Sequence, residues 1–357
     1  MCRTRFLGLI FALLYVTWSV PSAIAQDGLW EKYIAAGRQA LEQRDFPAAE
    51  KQFAAALGEA ERDGPETTRV ATTLYSQVEL LGAQGKYAQA EPLMRRVLAI
   101  QEKVLPPDHP DLALGLATMA SFHVRNHKFA EAEPLATRAL AILEKAVAAD
   151  DPRLAKGLNM VGMMYSMQRR FAKAEPLAIR AFTIRQDILP AHHPDVAESA
   201  NNLGFLYLMQ KRYDAAEKFM AHGLAIRKKA LPPDHPDIAQ SLNNLGAVYI
   251  VQGRHADAVR YIEAALVIWE KAYGPEHESV GMAHFNLGFL YQIQDRPGKA
   301  EPYYRRALKI RQKALGPMHP LVADTLENYA LVLMMTGRMG DAMRLKQRAA
   351  MIRAQRN

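Results

Sequence analysis

Histidine and aspartate recur together in one phrase of this chain. "LPPDHPD" stands at residues 105–111 and again at 231–237, with "LPAHHPD" at 189–195 between them. Imidazole and carboxylate are metal ligands and acid–base groups, so the phrase is the first place to look for chemistry. A zinc site needs about four ligands within about 2 Å of the metal. His109, His193, His235, His277 and His319 instead recur at multiples of one constant step, the distance from His193 to His235. Side chains a full repeat apart cannot converge on one ion. His192 and His193 are the one local cluster, and a single pair is a weak basis for a site. Glu91, Glu133, Glu175, Glu217 and Glu301 also form a column of that period, which makes them a helix-surface feature and not a catalytic dyad. There is no G-x-S-x-G, no H-E-x-x-H and no phosphate-binding glycine loop. The single cysteine is Cys2. The expectation is a protein that is not an enzyme and carries no metal or cofactor, with the histidines packing or hydrogen-bonding at helix starts.

The elements that position these residues follow from the period. Pro110, Pro152, Pro194, Pro236, Glu278 and Pro320 are evenly spaced at that same step. Ile100, Ile142, Ile184, Ile226, Ile268, Ile310 and Ile352 keep it too, as do Ala90, Ala132, Ala174, Ala216, Ala258, Ala300 and Ala342. A fixed period of this size signals a repeat architecture. Within residues 236–277, Ile238, Leu242, Leu245, Gly246 and Tyr249 recur at helical spacing. Gln252-Gly253-Arg254 then breaks the pattern. A second run through Ala258, Ile262, Ala265, Leu266, Ile268 and Trp269 follows, and Gly274-Pro275 stops it. One unit is therefore helix, tight turn, longer helix and Pro-rich joint. Proline at the first helical position loses no bond, and Asp111, Asp195 and Asp237 place negative charge at the positive end of the helix dipole.

Leu203-Gly204-x-x-Tyr207, Leu245-Gly246-x-x-Tyr249 and Leu287-Gly288-x-x-Tyr291 match the core of the tetratricopeptide repeat. Ala132-Glu133-Pro134-Leu135 with Arg138-Ala139-Leu140-x-Ile142, and Ala174-Glu175-Pro176-Leu177, extend the match. Over about residues 28–357 the chain resembles the 42-residue tetratricopeptide repeats of kinesin light chain and their bacterial relatives. Gln77 and Val78 depart from the Leu-Gly pair, and the first unit is shorter. The resemblance implies an all-α, right-handed superhelical solenoid of about seven helix–turn–helix units. They run at about 28–66, 68–109, 110–151, 152–193, 194–235, 236–277 and 278–319, with a final unit 320–357 as C-terminal cap. No heptad region precedes the array, so a motor role is not implied.

The family's first helices line a concave groove, which implies candidate contacts for an extended peptide or partner segment. Asn202, Asn244, Asn286 and Asn328 recur once per repeat, and Asn159, Asn201 and Asn243 form a row one residue earlier. An amide offers both a donor and an acceptor to a peptide backbone; these asparagines could equally bond their own helix or a neighbouring unit. Met163, Met167, Phe205, Met209, Phe285, Phe289, Gln292, Met334 and Met335 are further groove positions or inter-unit core. No Lys/Arg clamp for a carboxylate is evident, since Lys156 lacks a matching row. The expected function is an interaction scaffold. The alternative is an assembly factor or accessory subunit of a cell-envelope complex that uses its convex face or array ends.

Arg3 and Arg5, an apolar run from Phe6 to about Val16 and Ala23-Ile24-Ala25 read as a signal peptide for export to the periplasm or beyond, cleaved after Ala25. An uncut anchor is the other reading. Cleavage would take Lys+Arg from 45 to 43 against 37 acids, a net +6 instead of +8. That charge, spread along the chain without a Lys/Arg block, does not suggest nucleic acid as a partner. The sequence leaves the oligomeric state open.

Overall fold

The computed structural model describes residues 28–126 and 128–354. Among them are sixteen α-helices in consecutive pairs and no strand. The pairs are α1 (Leu29–Glu42) with α2 (Phe46–Ala60), α3 (Thr68–Ala83) with α4 (Tyr87–Val104), α5 (Pro110–Arg125) with α6 (Phe129–Ala146) and α7 (Pro152–Met167) with α8 (Phe171–Ile188). They continue as α9 (Pro194–Met209) with α10 (Tyr213–Ala230), α11 (Pro236–Val251) with α12 (His255–Tyr273), α13 (Glu278–Ile293) with α14 (Pro297–Leu315) and α15 (Pro320–Met335) with α16 (Met339–Ala354). The stretch expected as a terminal cap is thus itself a helix pair. The expected signal peptide lies outside the described residues.

The described chain divides into two compact units, residues 28–160 and 161–354. Within each, helices pack on those before and after them in the sequence, the nearest-neighbour arrangement of a repeat array. The alanine column forms the close contact between paired helices, and every member from Ala90 to Ala342 is fully buried. The isoleucine column is buried with one exception. Ile268 is half-buried because Trp269, 1% exposed, takes the core position beside it. Gly246 allows the close approach of α11 and α12: a Cβ there would meet Ile262 Cγ1 at 2.5 Å.

The tight turns explain the sharp break between paired helices. In seven of the eight turns one described residue adopts the left-handed conformation: Gly85, Gly253 and Gly337 at φ of 72°, 76° and 78°, and Arg44, Arg169, Lys211 and Asp295 at 60°, 60°, 64° and 55°. Left-handed backbone costs a residue with a Cβ about 1–2 kcal/mol, and glycine's extra unfolded-chain entropy offsets about 0.5–1 of that. Lys211→Gly should therefore raise stability by about 0.5–1 kcal/mol. A thermal melt checks this, and a lower melting temperature would contradict it.

Candidate functional site

The recurrent histidines act at the helix starts. His109 Nδ1 accepts from the Asp111 amide at 3.1 Å; His193, His235, His277 and His319 repeat the bond at 3.2 Å to Asp195, Asp237, Ser279 and Leu321. Asp151 fills the same role in its repeat, accepting from the Arg153 amide at 2.7 Å. Each satisfies an amide that has no partner within the helix. Among the described residues, no three His, Cys, Asp or Glu side chains come together to hold a metal.

The glutamate column ties one repeat to the next. Glu175 accepts from Arg212 at 2.8 Å and from Gln210, and Glu217 accepts from Arg254 at 2.8 Å and from Gln252. Glu301 accepts from Arg338 at 2.8 Å and from the Tyr329 hydroxyl at 3.0 Å. Arg212 and Arg254 also lie 4.1 Å over the Tyr207 and Tyr249 rings, so the motif tyrosine and the turn arginine form one surface joint.

The asparagine rows, expected to face a ligand, are placed inside. Asn159, Asn201, Asn202, Asn243, Asn244, Asn286 and Asn328 are all buried. Asn201 donates to the Ala197 carbonyl at 2.9 Å and to Ser241 Oγ at 3.2 Å, and Asn286 donates to Asn243 Oδ1 at 2.9 Å. Gln240 donates to Asn244 Oδ1, and Asn328 donates to the Asp324 carbonyl, each at 2.8 Å. Asn201, Asn243, Asn244, Asn286 and Asn328 thus bond their own helix or the neighbouring first helix. Phe205, Phe285 and Met167 likewise belong to the core.

Another register of the same helices stays accessible. Met209 and Val251 are half-buried, and Ile293 and Met335 are 42% and 43% exposed. These four positions keep the step of the repeat at the ends of α9, α11, α13 and α15, and all are apolar; Met167, one step earlier at the end of α7, is buried. Phe289, Met163 and Met334 are half-buried nearby in the helical register. Gln292, also half-buried, accepts from the Tyr304 hydroxyl at 2.6 Å and is held by the scaffold.

Two constellations were missed in the sequence. In the N-terminal unit Glu79 interacts electrostatically with Lys156 and Arg38 although they lie on three separate first helices. Burial pushes the Glu79 carboxyl up to about 8, against the pull of those two cations. Beside it the Tyr75 and Thr118 hydroxyls meet at 2.9 Å, and burial, then the Glu79 charge, raises the Tyr75 phenol. These residues are not periodic, so repeat logic does not find them.

The second constellation is periodic. Arg185, Arg227 and Arg311 follow the isoleucine column by one residue and are buried. Each guanidinium donates across the joint to a backbone carbonyl (Asp195, Asp237 or Leu321) and to a hydroxyl (Ser199, Ser241 or Thr325) at 2.8–3.2 Å. In the joints after α4, α6 and α12 both the arginine and the hydroxyl are absent. Gln101 pairs with Gly115, where a Cβ would meet its Oε1 at 2.2 Å, and Leu143 pairs with Gly157, where a Cβ would meet its Cδ1 at 2.7 Å. Trp269 stands in register with Ala283. The constant spacing of arginine and hydroxyl was readable in the sequence, but arginine there reads as surface.

The family described as tetratricopeptide repeat matches residues 69–145, 111–187, 153–229, 237–313 and 279–355. No curated protein sequence matches the chain. Among solved structures, BtubC (BKLC) from P. vanneervenii is 24% identical over 66% of this chain and 92% of its own, with a TM-score of 0.50. A Rap protein complexed with Competence and Sporulation Factor is similar over 91% of this chain and 98% of its own, at 12% identity and a TM-score of 0.62. The apo form of RapI is similar over 80% and 97%, at 15% identity and a TM-score of 0.56. At these identities the likeness concerns the fold.

Proposed function

Because the chain belongs to the tetratricopeptide repeat family, we propose that it is a protein-interaction scaffold holding an extended, partly apolar partner segment along the first helices of its C-terminal unit. The accessible column of Met209, Val251, Ile293 and Met335 carries this reading. Apolar side chains repeated on one register, each at least partly open to solvent, offer successive shallow contacts to one extended chain. Methionine at both ends adapts to different side chains, and Phe289 adds a rigid edge between them. The buried asparagines act from behind, fixing how successive first helices sit. Fold likeness to a Rap protein solved with Competence and Sporulation Factor is in keeping with a ligand-holding role.

The experiment is photocrosslinking in the native cell, with the reactive group placed at Ile293, at Met335, or at Val267 on the second helix α12, which is 67% exposed. One partner captured from Ile293 and Met335 and absent from Val267 is the expected result. Capture from Val267 alone would move the contact to the second helices and sink the reading. Ile293→Asp with Met335→Asp should weaken capture at least about tenfold and leave the helical spectrum unchanged, because both side chains already meet water.

We further propose export, on the basis of Arg3, Arg5, the apolar run and Ala23-Ile24-Ala25. No described helix is long and apolar enough to cross a membrane. N-terminal sequencing should find Gln26 first; an intact Met1 on a cytoplasmic protein would contradict export.

A further inference from the structure

The positive charge of the chain is not evenly spread, contrary to the reading of the sequence as a whole. Residues 28–296 hold 31 Lys/Arg against 32 Asp/Glu, whereas residues 297–354, the last three helices, hold eleven against four. Essentially the whole excess sits at the C-terminal end. It coincides with the densest group of exposed apolar side chains. Met339, Met343 and Met351 are 55%, 53% and 59% exposed, all on α16.

The two features share a helix and are ordered around it. Ala342, Ala349 and Ile352 face the core. At 3.6 residues per turn, Met339, Met343, Ala350, Ala354 and Met351 fall on the solvent side, with Gly340 and Gln347 between the last two. Arg344 and Arg348 line one edge of that side, and Lys346 and Arg353 line the other. Arg344 pairs with Asp341, and Arg353 pairs with Asp324 and Glu327. Arg348 lies against the Gln312 amide oxygen once that amide is turned to accept from it. No acidic residue occurs from Ala342 to Ala354. Met343 stands in the glutamate register. Glu175, Glu217 and Glu301 hold it and tie to the next repeat, whereas α12 carries Val259 there and α16 a thioether.

We propose that the outer face of α16 docks on an anionic lipid surface. A solvent-facing, mainly apolar side edged on both flanks by Lys and Arg suits a helix lying at the headgroup plane, with its apolar side chains inserted shallowly and its cations among the phosphates. The excess positive charge of α14–α16 supplies long-range attraction to such a surface. A second copy meeting this face with its own would set like charge against like. A nucleic acid would leave the methionines without a use. The surface docks the protein through α16 and leaves the apolar column of the first helices to a protein partner.

The test uses the full chain with Cys2→Ser and Met351→Cys, carrying an environment-sensitive dye at residue 351. It is mixed with vesicles of phosphatidylcholine alone or with phosphatidylglycerol added. The expected result is a blue shift on anionic vesicles only, suppressed in about 0.5 M salt, where charges are screened beyond a few ångströms. The same dye on Val267→Cys should not respond. Met343→Glu, which puts the residue of most earlier repeats at a position that already meets water, should weaken partitioning about tenfold. The proposal is overturned by an equal shift on neutral vesicles or by silence at residue 351 while the chain pellets with lipid, the mark of attachment through the N-terminal apolar run. A shift that grows with protein concentration in the absence of vesicles would also overturn it, by making a second copy the occupant.

Discussion

Arg311→Ala should destabilise the C-terminal unit by about 2–5 kcal/mol, and Arg311→Trp combined with Thr325→Ala should return most of that loss. Arg311 is 1% exposed and lies 4.4 Å over the Phe285 ring. It donates to the Leu321 carbonyl at 3.2 Å and to Thr325 Oγ1 at 2.8 Å. Burial lowers its pKa to about 10, which records what it costs to keep the cation there. Alanine removes the bonds and leaves a cavity. The Leu321 carbonyl still accepts from the Thr325 hydroxyl at 2.6 Å, so the loss is mainly one of volume. At the same register α12 and α13 carry buried Trp269 and Ala283, and a well-packed apolar replacement of a buried charge is often neutral or better. Denaturant titration of the two variants beside the parent chain decides it. A double variant no more stable than Arg311→Ala would show that the two kinds of joint are not interchangeable.

The two units should respond to pH in opposite directions. Burial raises the folded-state pKa of Glu79 from its ordinary 4.5 to about 8. Between those values the folded N-terminal unit keeps a proton that the unfolded chain has released. Its stability is therefore fullest below about 4.5 and falls as pH rises to about 8, by on the order of 2–4 kcal/mol. Glu79→Gln should flatten that slope and stabilise the unit at alkaline pH. In the C-terminal unit, burial and then Arg306 lower His284 from 6.5 to about 4. There the unfolded chain takes up the proton first, so stability is full above 6.5 and lost as pH falls towards 4. Hydrogen exchange followed by mass spectrometry, corrected for the intrinsic pH dependence of exchange, reads α3 and α13 separately. Parallel trends in the two, or an unchanged slope in Glu79→Gln, would contradict this account.

Most of the fold was legible because a repeat displays its core many times over. A column of identical Ile or Ala residues at constant spacing marks buried contact without any knowledge of the partner helix, and the histidine phrase marks a cap in the same way. The burial of the asparagine rows was not legible, for a physical reason. A first helix touches its own second helix and first helices on either side, and a one-dimensional pattern gives the register of a residue without saying which neighbour covers it. Asn243 and Asn286 bond each other across two first helices, while Ile293 and Met335, one helical face away, remain in water. Glu79, Lys156 and Arg38 were invisible for the opposite reason. Each occurs once, and only folding brings them into reach of one another.

The matched joint residues also determine where such a gene can be cut. Loss of residues 236–277, one repeat removed from joint to joint, would set Arg227 against Ala283, where no hydroxyl waits for it. Loss of residues 212–253, the same length removed from turn to turn, keeps Arg185 with Ser199 and Trp269 with Ala283 on unbroken stretches of chain. The unit that keeps matched joint residues together therefore begins and ends at the left-handed turns. It is a second helix followed by a first helix, and the proline phrase that looks like a boundary lies in the middle of it.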